Sequence, residues 1–439
     1  MAIPKEDVTP HTFTAEASAG LTGPGWLRGR RAAAYEAFAS CPMPSESEEV
    51  WRYTPIDTLA LDDFAPPTSD GPAPAGDQLL AALKTALGPL AGSVLVHNGR
   101  AGTFTTPVPP VAGFAFGRAE DVAGSPAMLG AVQEGGDALV RLNDAFAPEP
   151  VFVDVPDGVE VGAPVLIVHW CDSTSGFPRT CVRVGAGSRL SVVEVFAGAE
   201  GADRTLVVPV TELAAADGAS LSYVSLQILG NAAWSIARLA ARGGGSSVLR
   251  TFTVGLGAAY DRVRADVSVE GRDARSEILS AYLGDEAQVH DIRTLQDHVA
   301  PRTTSELLCQ GAVAGTSRSV YSGLIRVHRG AVRSDARQTN HNLVLDEGAH
   351  ADSVPNLDIL ENDVRCSHAS TVGPIDEDQR YYIESRGVVP EIAEGLIVRG
   401  FFDAIIERSP VPEVVPFLQR EVHDRLDVAL GGRALPAGV

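Results

Sequence analysis

Glycine turns recur at nearly regular spacing along the middle of this chain, and this recurrence limits the folds that the sequence can adopt. From Val151 to about Ile375, short runs of alternating apolar and polar residues are separated by turns that contain glycine. Four cassettes of strand, glycine turn and second strand are clearest, at residues 182–193, 213–224, 239–250 and 267–278. Their turn glycines lie 26 to 31 residues apart: Gly187, Gly218, Gly244 and Gly271. A repeat of this period, with looser copies around Gly315 and Gly348, is typical of stacked architectures.

The repeat predicts a mainly β fold with a parallel β-helix core. Each cassette would form one coil and bury alternate side chains against the next coil, at the ~4.8 Å separation of neighbouring strands. The turn glycines would then occupy corners that need positive φ. A large β-sandwich built from ordinary hairpins is the alternative, since the alternation fits both folds. A β-helix has open sheet edges at its ends, which proteins cover or pair with another chain.

The residues before the repeat predict a mixed, mainly helical N-terminal domain, 1–148. Trp51 and Tyr53 are interpreted as part of its local core, with an aromatic docking patch as the alternative. Apolar spacing and turn composition predict the following parts: a loose polar arm at 1–20, a helix at 26–40, a linker at 66–76, a helix at 77–87 capped by Asp77, a strand at 93–96, and a helical region at 125–146 broken near Gly135.

The β core is placed at 149–378, and the remaining residues, 379–439, predict a helical C-terminal domain. Helices are expected at 390–406 and 413–430, each with an apolar stripe at three- to four-residue spacing, before a frayed tail at 431–439. Such stripes either pack on the body of the protein or form an arm that docks a partner. The candidate docking residues are Ile392, Leu396, Phe401, Ile405, Val414, Leu418 and Val422.

A cysteine and two histidines near the end of the repeat are the candidate metal ligands. Cys366 and His368 follow an apolar run, and on one strand they would point to the same face because side chains alternate. His341 lies one candidate strand earlier. Thiolate and imidazole ligands suit zinc, iron and iron–sulfur chemistry, although a half-buried structural pair is the alternative. No Cys-x-x-Cys pair completes a four-ligand site, so a partner chain would have to supply the rest.

The excess of acidic over basic residues limits the classes of partner that the chain is expected to bind. The 35 basic and 56 acidic residues give a formal charge of −21, which argues against nucleic acid, because binding it needs a basic surface. Five cysteines without a disulfide-like pattern suggest a reducing cytosol. We expect no secretory signal, because the N-terminus lacks the charged-then-apolar pattern. We also expect no membrane span, because no run of about 18 apolar residues exists.

The common catalytic and nucleotide motifs are absent from the sequence. The triple glycine at 243–245 lacks the Lys-Ser/Thr of a phosphate loop, and the glycines at 185–187 lack the third glycine of a dinucleotide loop. Neither a Gly-x-Ser-x-Gly elbow nor a His-Glu-x-x-His motif occurs. The sequence therefore favours a non-enzymatic protein that binds no nucleotide by these means.

Several ordered motifs resemble the SufB/SufD family of the Suf iron–sulfur cluster assembly system, and the SufD subunits in particular. The most specific match is DVRCSHASTVGPI at 363–375, followed by YYIESRGV at 381–388. Ala369 and Ser370 stand where SufD proteins have Gly-Ala. Further matches cover QTNHNLVL (338–345), DHVAPRTTS (297–305), SGLIRVHRGA (322–331) and EEVWRYT (48–54). The resemblance extends from about residue 25 to residue 430.

Two positions favour the SufD subunit over its sister SufB. SufB proteins carry a cysteine at the position of His341 and a glutamate at the position of Ala369, and both residues are linked to cluster building. The resemblance implies a right-handed parallel β-helix between helical domains, in a cytosolic complex with a SufB-like subunit and a SufC-like ATPase. It also implies that His368 serves cluster formation at the interface with SufB, and that the C-terminal helices engage the ATPase. Cys366 belongs to the same motif, and His341 is a candidate from its position alone.

The function expected from the resemblance is that of a non-catalytic scaffold subunit. The iron–sulfur cluster would be transient and shared with SufB, and ATP hydrolysis in the partner would move the subunits. The alternatives are the SufB role and, from another class, a β-helix polysaccharide lyase or hydrolase, which the missing signal peptide and the cysteine–histidine pair oppose. The cluster type, binding of a flavin and self-pairing of the isolated chain stay open.

Overall fold

The computed structural model of the chain describes residues 12–68, 71–106, 111–133, 135–199, 201 and 204–430. The predicted arm and the predicted linker at 66–76 lie only partly within these residues, and the predicted tail at 431–439 lies outside them. Within the arm, Phe13 is fully buried and packs edge-to-face on Phe146 at 5.1 Å between ring centroids. The arm is therefore anchored from residue 13 onward rather than loose.

Eight α-helices flank the β core within the described residues. They are α1 (Ala15–Ala19), α2 (Gly25–Ala39), α3 (Pro74–Leu87), α4 (Ser125–Met128), α5 (Ala138–Phe146), α6 (Glu377–Glu384), α7 (Pro390–Ile406) and α8 (Val415–Ala429). Short 3-10 turns cover Glu49–Trp51, Ile56–Thr58, Leu61–Asp63 and Pro412–Val414. The cap of α3 is Ala73 rather than Asp77, which lies in the first turn. In the described part of the chain, no helix has the length and apolar character needed to cross a bilayer.

Twenty-one strands form the rest of the described structure. They are β1 (Gly92–His97), β2 (Arg100–Ala101), β3 (Ala115–Gly117), β4 (Val151–Val155), β5 (Val165–Cys171), β6 (Ser175–Gly176), β7 (Arg179–Val184), β8 (Arg189–Gly198), β9 (Thr205–Val207), β10 (Val210–Ala215), β11 (Ser220–Ile228), β12 (Ala233–Gly243), β13 (Val248–Gly255), β14 (Tyr260–Val269), β15 (Arg275–Gly284), β16 (Val289–His298), β17 (Thr304–Val313), β18 (Arg318–Val327), β19 (Asp335–Val344), β20 (His350–Ile359) and β21 (Arg365–Gly373).

The strands build two facing sheets, and from β10 onward the chain passes alternately between them. The first sheet runs β2-β1-β5-β8-β11-β13-β15-β17-β19-β21, and the second runs from β3 and β4 through β7, β10, β12, β14, β16 and β18 to β20. All pairs from β5 and β4 onward are parallel. The fold is therefore mainly β, with a parallel β-helix of about eight coils between helical regions, as the repeat predicted, and not a sandwich of hairpins.

The sheet begins earlier in the chain than the repeat indicated. Strand β1 pairs in parallel with β5, with Val94 opposite Ile167, and β3 pairs antiparallel with β4. Residues before 149 thus cap one end of the β-helix. The change in composition at 148/149 therefore does not coincide with the start of the first sheet, which already includes β1.

Alternate side chains of each strand fill the space between the two sheets. Leu190, Leu221 and Leu249 are in register on the first sheet and share one buried cluster with Leu213 and Leu239 of the second. Side chains in these positions leave water on folding, which is the main source of stability for such a core. The opposite face of the first sheet packs against α3, α7 and α8 in a second cluster. Both faces of this sheet are therefore buried over most of its length.

A buried carboxylate ties the two sheets together inside the early coils. Glu194 accepts hydrogen bonds from Thr211 at 2.9 Å and Tyr223 at 2.6 Å, and it pairs with the His169 imidazole at 2.8 Å. Thr180 also donates to it. These contacts outweigh the cost of burial and lower the pKa of Glu194, which burial alone would raise.

The corner glycines have two different physical roles. Gly187 and Gly218 adopt φ of +65° and +70°, as predicted. At the corners of Gly244 and Gly271, however, the positive φ falls on Ser246 and Asp273. Gly271 is needed for close approach instead, since a Cβ there would lie 1.9 Å from the Gly245 nitrogen.

Trp51 is part of the core around the N-terminal domain, as the sequence favoured. Its side chain is 2% exposed, and the Arg262 guanidinium lies 3.7 Å from the ring centroid. Arg262 also pairs with the buried Asp291, so the aromatic ring is fixed against the outer face of the second sheet. Tyr53 is half exposed and does not belong to this core.

Candidate functional site

The β-helix ends in an open coil formed by β20 and β21. These are the last strands of the second and first sheets, and no further strand of the described chain pairs with their outer edges. Side chains that face the core in earlier coils are exposed here, including Leu357 at 41% and Val372 at 42%. An open pair of long edge strands with exposed apolar side chains is a surface on which another chain can add strands.

Cys366 and His368 lie together on this open coil. Both belong to β21, where Ala336 and Gln338 of β19 are their register partners. Ala336 and Gln338 are buried between the sheets, so both ligand candidates share the core-facing side of their strand. The run before them is not one strand, because a turn at residues 360–364 separates β20 from β21. The side-by-side geometry nevertheless follows from the alternation within β21 alone.

The two side chains differ in their surroundings. His368 is exposed, whereas Cys366 is half-buried beside Ile325, Val327 and Ala336. Burial raises the pKa of the Cys366 thiol, and the nearby Asp335 carboxylate raises it further. Both effects favour the protonated thiol over the thiolate.

His341 lies on the opposite face of the first sheet from the other two candidates. Its register partner in β21 is Thr371, an odd number of residues from both Cys366 and His368, so the alternation of the strand points it outward. There it lines a groove of about 960 Å³ between the sheet and helices α6 and α7. The structure thus brings together the thiol and one imidazole and leaves His341 apart from them.

A polar network that the sequence reading missed supports the open coil from within. Asn340 accepts hydrogen bonds at its Oδ1 from Asn342 at 2.9 Å and from Ser353 of β20 at 2.9 Å. Ser370, two residues beyond His368, donates to Ser353 at 2.6 Å. The last strands of both sheets are therefore linked through Asn340. The sequence contains one indication of this network. Asn340 and Asn342 are two residues apart, so both amides face the core from one strand and need polar partners there.

The candidate docking residues of the C-terminal helices divide into two groups. Ile405, Val414, Leu418 and Val422 are at most 1% exposed and pack against the outer face of the first sheet. Ile392 and Phe401 are partly buried, and Leu396 is 37% exposed. The first group stabilises the fold, and only the second leaves surface for a partner.

The exposed residues border the groove that also contains His341. Leu396 and Phe401 line one wall, and Ile383 and Tyr382 of α6 line another. None of the described residues of α6 is buried, and Tyr381 and Tyr382 are 72% and 59% exposed. Two exposed tyrosines beside an apolar groove are typical of a protein–protein contact.

The fold and the site define a parallel β-helix protein whose last coil is open and presents one thiol and one imidazole. Among the described residues, no group of three or more histidine, cysteine, aspartate and glutamate side chains is arranged to hold a metal ion. One thiol and one imidazole are too few ligands for a complete metal site.

Comparisons with known proteins identify the family. The family model described as SUF system FeS cluster assembly, SufBD core domain, matches residues 168–401, more than half of the chain. The chain belongs to the SufBD family of iron–sulfur cluster assembly proteins.

The relatives include bacterial and plastid proteins. The chain is 24% identical over 402 residues to the iron–sulfur cluster assembly protein SufD of Escherichia coli, covering 90% of each chain. It is 38% identical over 193 residues to a SufBD family protein of Mycobacterium leprae, covering 42% of this chain and 49% of the relative. A chloroplastic protein of Arabidopsis thaliana, ABCI7, is 28% identical over 293 residues, covering 64% and 61%. The matched region thus spans about half the length of the first of the mycobacterial relatives.

Proposed function

We propose that this chain is a SufD-type scaffold subunit that builds part of an iron–sulfur cluster site at its open coil, together with a SufB-like subunit. The observation that carries the proposal is the position of Cys366 and His368 on β21, the last strand of its sheet. Ligands at an open sheet edge become enclosed only when another chain extends the sheet. The chain itself is proposed to perform no catalysis and to hold the cluster, its cargo, only transiently.

The number of ligands supports the need for a partner. Iron–sulfur clusters are normally held by four protein ligands, mostly thiolates, whereas this coil offers one thiol and one imidazole. His341 is not proposed as a third ligand because it faces outward. We therefore expect the isolated chain to bind iron poorly, and the partner to contribute the remaining ligands.

The raised pKa of Cys366 supports a site that is active only when assembled. A thiol is a weak metal ligand, and its deprotonation is favoured by a nearby metal or positive charge. A SufB-like subunit that covers the coil with bound iron would provide such a charge. The isolated chain would thus keep its sulfur protonated and unreactive.

The groove beside α6 and α7 is the surface proposed for the SufC-like ATPase. Leu396 and Phe401 line it, Ile392 lies one helical turn before Leu396, and α6 supplies the exposed Tyr381 and Tyr382. Because α6 directly follows β21, a partner bound in this groove would also contact the strand that carries the cluster ligands. Movement of the ATPase during ATP hydrolysis would then be transmitted to the open coil. Cytosolic assembly is part of this proposal.

The test is cluster formation in the assembled complex with His368→Ala. We expect iron and labile sulfide per complex to fall strongly, a smaller or comparable loss for Cys366→Ala, and no loss for His341→Ala. The matched control is His350→Ala, because His350 is exposed on the neighbouring terminal strand but pairs with Asp352 at 3.1 Å on the outer face.

Gel filtration of each complex separates ligand loss from lost assembly. All four variants should assemble, since three of them each remove one side chain from the long edge strands β20 and β21, and His341→Ala shortens a single side chain of β19 in the groove. Normal cluster content with His368→Ala would rule out this histidine as a ligand. Loss of cluster together with loss of assembly would instead assign it a structural role.

A further inference from the structure

Tyr282 lies inside the β-helix and reaches across a neighbouring strand. It belongs to β15, faces the core and is fully buried. The next residue in its register column is Gly311 of β17, and Asn342 of β19 follows. A Cβ at position 311 would overlap the Tyr282 ring, so the ring can lie over β17 only because residue 311 is glycine. The Tyr282 hydroxyl therefore reaches Asn342, two strands away, and donates a hydrogen bond to its Oδ1 atom.

The ring and the hydroxyl of Tyr282 are both held in this arrangement. The imidazole of His290 stacks on the ring, with 5.5 Å between the ring centroids and 19° between the ring planes. Burial raises the pKa of the Tyr282 phenol, so the hydroxyl keeps its proton. Tyr282 is thus a hydrogen-bond donor with a fixed direction toward Asn342.

The hydrogen bond to Asn342 is the first of a chain that ends on the open coil. Asn342 donates from Nδ2 to the Asn340 Oδ1 atom at 2.9 Å, and Ser353 of β20 donates to the same oxygen at 2.9 Å. Ser370 of β21 donates to the Ser353 hydroxyl at 2.6 Å and lies 3.4 Å from the Asn340 oxygen. Tyr282 of β15 is therefore connected to both terminal strands by hydrogen bonds alone.

Strand β21 is exposed and has a sheet neighbour on one side. None of its nine residues is buried, and β19 is its pairing partner. Among the described residues, the side-chain hydrogen bonds of β21 all come from Ser370. Ser370 lies two residues from His368 on the same face of the strand, so a contact that holds Ser370 also limits the position of His368.

We propose that Tyr282 is a positioning residue for the open coil. Its hydroxyl orders Asn342 and Asn340. These amides in turn hold Ser353 and Ser370, so that β20 and β21 are fixed relative to each other before the SufB-like subunit adds its strand. A strand that is already ordered loses less conformational entropy on binding. The inference rests on the proposed function, because it assumes that the open coil receives a partner, and it adds the residue that prepares this coil from the interior.

The decisive variant is Tyr282→Phe, which removes the hydroxyl and keeps the ring over Gly311. Asn342 then lacks its donor, and the cost of a buried acceptor without a donor corresponds to about a tenfold change in an equilibrium. In the isolated chain, the backbone amides of Arg365–Gly373 that bond to β19 should therefore exchange about tenfold faster. Affinity for the SufB-like subunit should fall about 3- to 10-fold, because the partner binds only molecules in which β21 is ordered.

The control is Tyr321→Phe. Tyr321 is also fully buried, and it lies on β18, directly beside the terminal strand β20. Its hydroxyl lies 3.3 Å from that of Thr294 on β16, in the direction away from the open coil. Tyr321→Phe should leave the exchange of β21 and the affinity for the partner unchanged. An equal effect of both variants would point to a general loosening of the interior and would overturn the specific role of Tyr282.

A double variant separates positioning from stability. Tyr282→Phe combined with Asn342→Leu replaces both partners of the hydrogen bond by apolar side chains, a change that is often nearly neutral for stability. The urea midpoint should return toward that of the unchanged chain, whereas β21 should still exchange rapidly, because Asn340 lacks the donor at position 342. Slow exchange restored together with stability would overturn the positioning role, since only a general destabilisation would then have been measured in Tyr282→Phe.

Failure of this inference can be told from failure of the proposed function. If the unchanged chain forms no complex through its open coil, the proposed function fails, whereas the exchange of β21 in the isolated chain still reports on the hydrogen bonds from Tyr282. If Tyr282→Phe leaves that exchange unchanged, the positioning role is overturned even when the complex builds its cluster. Faster exchange with unchanged affinity would also overturn it, because the order of β21 would not serve binding of the partner.

Discussion

Substitutions on the two faces of helix α7 should affect stability and partner binding separately, because the two faces have different surroundings. Phe402 is fully buried against the first sheet, and Leu396, on the same helix, is 37% exposed beside the groove. Phe402→Ala should lower the free energy of unfolding by about 3–5 kcal/mol, the usual cost of such a cavity. Full burial of a leucine is worth about 1.5–3 kcal/mol, and because Leu396 is only partly buried, Leu396→Ala should cost about 1 kcal/mol.

For binding to the SufC-like ATPase the order should be reversed, so that substitution at position 396 has a larger effect than substitution at position 402. An aspartate at position 396 places a charge in the proposed apolar contact, and loss of a central interface residue costs about 2 kcal/mol or more, roughly a 30-fold weaker Kd. Urea unfolding and calorimetric titration with the SufC-like ATPase measure the two effects on the same samples. The reasoning is refuted if Leu396→Asp, shown to be folded, binds the ATPase as tightly as the unchanged chain.

Three further substitutions test the interior of the β-helix. Leu221→Asp buries an unpaired charge and should prevent cooperative folding, at a cost of several kcal/mol; a soluble, cooperatively unfolding variant would contradict the assigned alternation. Glu194→Ala leaves its buried hydroxyl and imidazole partners without an acceptor and should cost about 3–5 kcal/mol in urea unfolding, whereas a loss below 1 kcal/mol would refute the network. Burial lowers the pKa of His298 from 6.5 to about 4, so the unfolded chain binds the proton first as pH falls. Stability present above pH 6.5 should therefore decrease by about 3 kcal/mol toward pH 4, and His298→Asn should remove that part of the slope; an equal slope in both proteins would contradict it.

The sequence predicted the core well where one physical rule applied to every repeat. Alternation within the cassettes predicted that every second side chain faces the core, and Val192 and Leu221, at 0% and 1% exposed, confirm it; the 390–406 helix matches α7 residue for residue. The same alternation placed Cys366 and His368 on one face without knowledge of any contact. These predictions needed only the local period of each element.

Predictions were less complete where they depended on which strand of the same chain a given strand pairs with. The outward direction of His341 depends on the register between β19 and β21, because shifting a strand by one residue reverses its faces. The inclusion of β1 in the first sheet depends on a pairing across about 70 residues, between Val94 and Ile167. Neither the register of β19 with β21 nor the pairing of β1 with β5 can be recognised from the local alternation of apolar and polar residues.

The C-terminal helices show the same limit. Their apolar stripes predicted helices correctly, but a stripe does not say whether it covers the same chain or a partner. Since Leu418 and Val422 are fully buried against the sheet, deletion of residues 389–439 would expose the outer face of the core. We therefore expect that deletion to destabilise the β-helix, and single substitutions such as Leu396→Asp to be the informative test of docking.

The central claim is that the open coil of this chain continues into the sheet of a SufB-like subunit. Hydrogen exchange of the backbone amides in β20 and β21 tests it most directly, measured for the chain alone and in the assembled complex. The account predicts that the amides on the free edges of His350–Ile359 and Arg365–Gly373 exchange rapidly in the single chain and become strongly protected on assembly, because they gain hydrogen bonds to a new strand. A complex that forms while these amides exchange as fast as before would contradict the account.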